Sequence, residues 1–102
     1  MNLMISQAEA IEKSRLIAKQ IASEEIDAFD GAMRIWKEVL NHLDGRIPDA
    51  LWPFKSNASA IEDYVFNAQD SGANHDAQIM QCKARIVEAA KSLLLNTHIS
   101  ST

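Results

Sequence analysis

Cys82, His75 and His42 are the side chains whose types could support nucleophilic or acid-base chemistry. On one helix, the seven-residue separation of His75 and Cys82 corresponds to about 10.5 Å along the axis. This exceeds the hydrogen-bond reach that a nucleophile and its base require. His42 stands at the end of a predicted helix, where a cation facing the helix dipole is typical. The spacing therefore predicts no catalytic residue, and it predicts that Cys82 is a small packed side chain.

Asn74, His75 and Asp76 offer three consecutive potential metal ligands. Neighbouring helical residues point about 100° apart, and no second ligand follows at helical spacing. A helix start explains the triplet better, with Asn74 as its cap and Asp76 facing the dipole. The three glycines lie far apart, which excludes a phosphate-binding loop. We expect no metal and no cofactor, and no enzyme activity unless a site is assembled from residues distant in sequence.

Charge is distributed unevenly along the chain. Fourteen acidic residues against ten basic ones give a formal net charge of -4, the wrong sign for a nucleic-acid or anionic-membrane binder. Residues 56–82 contain four acids, including Glu62 and Asp63, and no lysine or arginine. Glu24 and Glu25 belong to a second acidic cluster. If both clusters lie on one side, they form a negative surface for a basic protein partner. Solvated helix ends are the alternative.

Four of the six aromatic residues fall within residues 52–66, beside these acids. Interfaces favour aromatic anchors ringed by charge, although the same side chains could cover the core. The candidate partner-binding residues are therefore Glu62, Asp63, Tyr64, Phe66, Trp52, Phe54, Glu24 and Glu25.

Hydrophobic periodicity predicts four helices and no strand. Ser6 and Glu9 form a capping-box pattern at the first helix, Asp27 caps the second, and Gly45 ends it. Pro48 and Pro53 bound a predicted loop over residues 44–56, in which Pro53 closes a short turn. The predicted helices cover about residues 7–23, 28–43, 57–69 and 75–95. We expect an all-α, single-domain bundle of four helices over residues 1–102, with a frayed tail at about 96–102.

Localisation follows from what the sequence lacks. A single cysteine cannot form an internal disulfide, which favours a reducing cytoplasm. The N-terminus carries no basic residue before its short apolar stretch, unlike a signal peptide. No apolar run approaches the ~20 residues that span a bilayer. We expect a cytoplasmic protein without a membrane segment.

Residues 22–36 contain an acidic turn, Ser-Glu-Glu-Ile-Asp, that leads into a helix ending in Ile-Trp. This stretch resembles a pattern found in short bacterial all-helical proteins of unknown role. The resemblance implies a bacterial helical protein, and it assigns no functional residue.

Two function classes agree with these features. The first is a cytoplasmic protein-binding module that masks or inhibits a basic protein partner. The second is a regulatory or structural subunit that forms a homodimer through the apolar faces of the second and fourth helices.

Overall fold

The fold is a bundle of four α-helices, as the hydrophobic periodicity predicts. The computed structural model describes the backbone of residues 4–71 and 75–100 and the side chains of residues 4–66 and 75–95. Over these residues it contains no strand, only one isolated parallel bridge between Ile5 and Leu43. The helices are α1 (Gln7–Ala22), α2 (Ala28–Arg34), α3 (Trp52–Ser71) and α4 (Asp76–Ser100).

Polar caps fix the first two helices where the sequence places them. The Ser6 hydroxyl accepts a hydrogen bond from the Glu9 N–H at 3.2 Å. The Asp27 carboxylate accepts from the Phe29 and Asp30 N–H groups at 3.0 and 3.3 Å. Each cap satisfies backbone donors that the first helical turn leaves free.

The helix that begins with α2 changes geometry partway along. A π-helical segment, Ile35–Val39, follows α2 directly, and a 3-10 turn, Leu40–His42, ends the helical stretch. Gly45 then adopts a φ of 96°, as its predicted role at the end of the helix requires. Ile5 binds to this end through hydrogen bonds with His42 and Asp44.

α3 begins at Trp52, so the predicted start at residue 57 is wrong. Pro53 lies in the first turn of α3 and does not close a preceding one. A proline is tolerated there because the N–H groups of the first turn have no helical acceptor. The Asn57 side chain, which is largely buried, donates to the Pro53 carbonyl at 2.8 Å, and this bond gives its amide N–H a partner.

α4 packs against α1, α2 and α3, in agreement with its wide apolar face, which predicts a central helix. Periodicity predicts one stripe on this helix, widened by Ile79, Ile86 and Leu93 and made of Ala77, Met80, Ala84, Val87, Ala90, Lys91 and Leu94. Cys82, Ile86, Ala90 and Leu93 are buried, whereas Ala77, Met80 and Ala84 are exposed. The small residues Ala10, Ser14 and Ala18 form the buried face of α1 together with Ile17 and Ile21. α3 contributes Phe54, Ala58 and Ile61 to the same core.

α4 continues to Ser100, five residues past its predicted end. The frayed tail predicted at about 96–102 lies outside the described side chains and stays a prediction. Among the described residues, none of the helices is both long and apolar enough to cross a membrane.

Candidate protein-binding surface

Part of the predicted binding surface forms a groove between α2 and α3. This groove, which we call the acidic groove, has a volume of about 460 Å³ and is lined by Phe29, Glu62, Asp63, Val65 and Phe66. The side chain of Phe66 is 70% exposed and that of Val65 is 42% exposed. Helical spacing puts Ile61 and Val65 on one apolar face of α3, but of these two only Ile61 is buried. Within the described part of the chain, Glu62 and Asp63 form no salt bridge.

A second groove lies between α4 and the turn that joins α1 to α2. This groove, which we call the junction groove, has a volume of about 440 Å³. Glu24, Glu25 and Asp27 line it from the turn, and Met80 and Lys83 line it from α4. Met80 is 70% exposed. The junction groove therefore also combines carboxylates with exposed apolar surface.

Both grooves border the first turn of α2. Asp27 and Ala28 line the junction groove, and the next residue, Phe29, lines the acidic groove. The two acidic clusters that the sequence shows separately thus lie beside neighbouring grooves. Glu62 and Asp63 are exposed at the acidic groove, and Glu24, Glu25 and Asp27 are exposed at the junction groove.

Three predicted binding residues lie elsewhere. Phe54 is fully buried in the core, so its assignment to a binding surface is wrong. Tyr64 is half-buried. The centroid of its ring lies 5.2 Å from that of His75, and this contact joins α3 to the start of α4. Trp52 is 51% exposed, but it precedes Phe66 by fourteen residues on α3, or about 21 Å at 1.5 Å per residue.

Trp52 instead belongs to a cluster of tryptophan and lysine that the sequence analysis did not anticipate. The Lys55 Nζ atom lies 5.6 Å from the ring centroid of Trp52 and 5.9 Å from that of Trp36. The Lys37 Nζ atom lies 4.4 Å from the Trp36 ring. These distances permit cation–π attraction. The three-residue spacing of Trp52 and Lys55 on one helix was an available signal, but the contact with Trp36 requires the fold.

Asp27 links the first turn of α2 to α4. Its carboxylate accepts a hydrogen bond from the Lys83 ammonium at 3.0 Å in addition to the two backbone N–H groups that it caps. Partial burial raises the pKa of Asp27, but the hydrogen bond and charge of Lys83, together with the backbone N–H groups of Asp30 and Phe29, lower it more. The net pKa lies below the ordinary value for an aspartate.

Replacing Asp27 with alanine should lower the free energy of unfolding by about 1 kcal/mol, the usual effect of losing a helix cap. Asp27→Asn should cost less, because the amide oxygen still caps and an exposed ion pair contributes little. Since the folded pKa is depressed, the ionised carboxylate stabilises the fold above about pH 4 and loses this effect as the pH falls. Urea unfolding at neutral pH and near pH 3 would test this expectation. If the wild type were still more stable than the Asp27→Asn variant near pH 3, by the same free energy of unfolding as at neutral pH, the expectation would be contradicted.

Glu24 adopts a φ of 63°, the left-handed region that favours glycine. It stands just after α1, where the Glu24 N–H donates to the Ile21 carbonyl at 3.1 Å and the Glu25 N–H donates to the Gln20 carbonyl at 2.9 Å. This is the Schellman pattern of hydrogen bonds, which places a left-handed residue at this position. The turn therefore presents the Glu24 carboxylate at a cost in backbone energy.

Glu24→Gly should raise the free energy of unfolding by about 1 kcal/mol, because glycine adopts this conformation without the strain of a Cβ atom. Glu25→Gly removes the same charge from a neighbouring position without a positive φ, and it should leave stability unchanged or lower it. Thermal unfolding of the two variants provides the comparison. Equal shifts in Tm would show that charge, and not backbone strain, controls stability at this turn.

The described residues contain no group of three or more histidine, cysteine or acidic side chains positioned to hold a metal ion. No family model, curated protein or solved structure matches the chain. The two grooves and their charges are therefore the features of this chain that bear on its function.

Proposed function

We propose that the chain is a small protein-binding module that uses the acidic groove and the neighbouring junction groove to bind a basic protein partner. The observation that carries this proposal is the exposure of Phe66 and Val65 beside Glu62 and Asp63. A buried aromatic anchor with charged groups at its rim is the composition that stable interfaces use.

The apolar and acidic parts of the surface have different roles in this proposal. Covering a large apolar side chain such as Phe66 is worth about 1.5–3 kcal/mol, which supplies affinity. The exposed carboxylates attract a positive partner and increase the rate of encounter, an effect that salt weakens. A partner bound across both grooves would have its basic surface masked, as an inhibitor would require. We place this activity in the cytoplasm because the single cysteine, Cys82, is buried and unpaired.

Reversing the charges of Glu62 and Asp63 together tests the proposal. The variant E62K/D63K should bind the partner about tenfold more weakly at low salt and lose most of the salt dependence. The matched control is D44K/E88K. Asp44 and Glu88 are exposed and line neither groove. Each double variant changes the formal net charge of the chain from -4 to zero, so the two differ only in where the charges are reversed. Both variants should retain the wild-type circular dichroism spectrum.

The binding measurement uses a photo-crosslinking amino acid at position 66 to identify the partner in cells, followed by titration of the purified pair. Capture of a basic protein that depends on Glu62 and Asp63 but not on the control positions would support the proposal. Equal binding by both double variants, or crosslinking only to acidic proteins, would overturn it.

Self-association is a second candidate, because one face of α4 is both apolar and exposed. Ala77, Met80 and Ala84 lie on this face at helical spacing, and a second copy could cover it. Light scattering of the wild type and of Met80→Lys separates the two functions. A dimer that Met80→Lys dissociates would favour self-association, whereas a wild-type monomer would exclude it.

A further inference from the structure

We infer that the acidic groove recognises an arginine side chain of the partner, with the guanidinium stacked on the Phe66 ring and hydrogen-bonded to Glu62 and Asp63. This inference rests on the proposed function, and it specifies which residue of a basic partner is the anchor.

Helical spacing brings the required groups together. Glu62 and Asp63 precede Phe66 by four and three residues on α3, so each of them is a neighbour of Phe66 on the helix surface, with Cβ atoms about 5–6 Å apart. All three are exposed and line the same groove. A planar cation that covers the ring can therefore reach a carboxylate at its edge.

At the opposite end of α3, cations lie over the exposed ring of Trp52 and the partly buried ring of Trp36. Lys55 and Lys37 lie over the rings of Trp52 and Trp36. Among the described residues, no cation lies over Phe66, and no lysine or arginine pairs with Glu62 or Asp63. The acidic groove thus presents an exposed ring beside two exposed carboxylates, and a cation supplied by a partner would complement both.

Arginine fits this arrangement better than lysine. Its guanidinium is planar and weakly hydrated, it stacks on aromatic faces, and its fork of N–H groups can bind a carboxylate with two parallel hydrogen bonds. A lysine ammonium is a strongly hydrated point charge that gains less from an exposed ring. Phe29 and Val65 lie in the same groove, where they can contact the methylene groups of the arginine stem.

Two synthetic amphipathic peptides test the inference on the full chain. They share one leucine-rich face and differ only in having arginine or lysine at every basic position. Nuclear magnetic resonance titration of the isotope-labelled protein gives each affinity and locates the contact. The arginine peptide should shift the resonances of Glu62, Asp63 and Phe66 and bind about two- to fivefold more tightly than the lysine peptide.

Variants of Phe66 show whether the ring causes the preference. Phe66→Leu keeps an apolar side chain but should remove the preference for arginine, whereas Phe66→Tyr should retain it. Equal affinity for the two peptides, or a preference that survives Phe66→Leu, would overturn the inference while leaving a basic partner in place. If neither peptide shifts the groove resonances, both the inference and the proposed use of this groove fail.

Discussion

Replacing Phe54 with alanine should lower the free energy of unfolding by about 3–5 kcal/mol. Its ring is fully buried, and it packs in the same core as Ala58 and Ile61 of α3. The substitution removes this apolar contact and leaves a cavity that the surrounding helices can fill only in part. Because a domain of this size is stable by only about 5–15 kcal/mol, the loss is a large share of the total. Urea unfolding followed by circular dichroism measures it.

Trp52 provides the matched control, since it lies two residues earlier on the same helix and is half exposed. Trp52→Ala should cost much less than Phe54→Ala. If Phe54→Ala fails to fold, Phe54→Leu should still be measurable and cost less than about 1.5 kcal/mol, because it preserves most of the volume. Equal effects of Phe54→Ala and Trp52→Ala would contradict the assignment of Phe54 to the core.

The sequence predicts the number of helices but misplaces the start of α3 because Pro53 has two possible meanings. A proline closes a preceding turn as readily as it opens a helix, since both positions need no N–H donor. When the helix begins at Trp52, Phe54, Ala58 and Ile61 follow at spacings of four and three residues and form one buried stripe. Phe54, which the sequence leaves open between a binding loop and the core, then belongs to the core.

The orientation of α4 depends on its neighbours and not on its own pattern. Its sequence predicts one broad apolar stripe that contains Met80, Ala84 and Ala90 and is widened by Ile86. Periodicity does not show which part of so broad a stripe faces the core. Packing against α1 and α3 buries Ile86 and Ala90 and leaves Met80 and Ala84 exposed.

The candidate site could be predicted only where its residues share one helix. Glu62, Asp63 and Phe66 are neighbours at helical spacing, so the sequence alone groups them. The contribution of Phe29 depends on the packing of α2 against α3, and the sequence assigns this residue to the apolar stripe of its own helix. The contact of Lys55 with Trp36 likewise joins residues nineteen positions apart. Charge and composition therefore predict the kind of surface, whereas tertiary packing determines its extent.

Gly31→Val should lower the free energy of unfolding by about 1–3 kcal/mol, because Gly31 allows α2 to approach the end of α1 closely. A Cβ atom at this position would meet the Ile21 Cγ1 atom first, and it would lie 2.6 Å from the Ile21 Cδ1 atom and 3.0 Å from the Ile26 Cδ1 atom. Ile21 is 1% exposed and has little space in which to move, so overpacking should cost on the order of 1–3 kcal/mol. Valine and glycine differ little in helix propensity, and the measured change therefore reports the steric conflict.

A double-mutant cycle with Ile21→Ala isolates that conflict, since alanine lacks both the Cγ1 and the Cδ1 atoms. Gly31→Val should be less costly in the Ile21→Ala background, with a coupling of at least about 0.5 kcal/mol. Additive effects would mean that the two helices separate to accept the new side chain. The junction groove would then change as well, because Ile21 and Ile26 line its floor beside Glu24 and Glu25. Close packing at Gly31 thus holds the turn that presents these carboxylates in place.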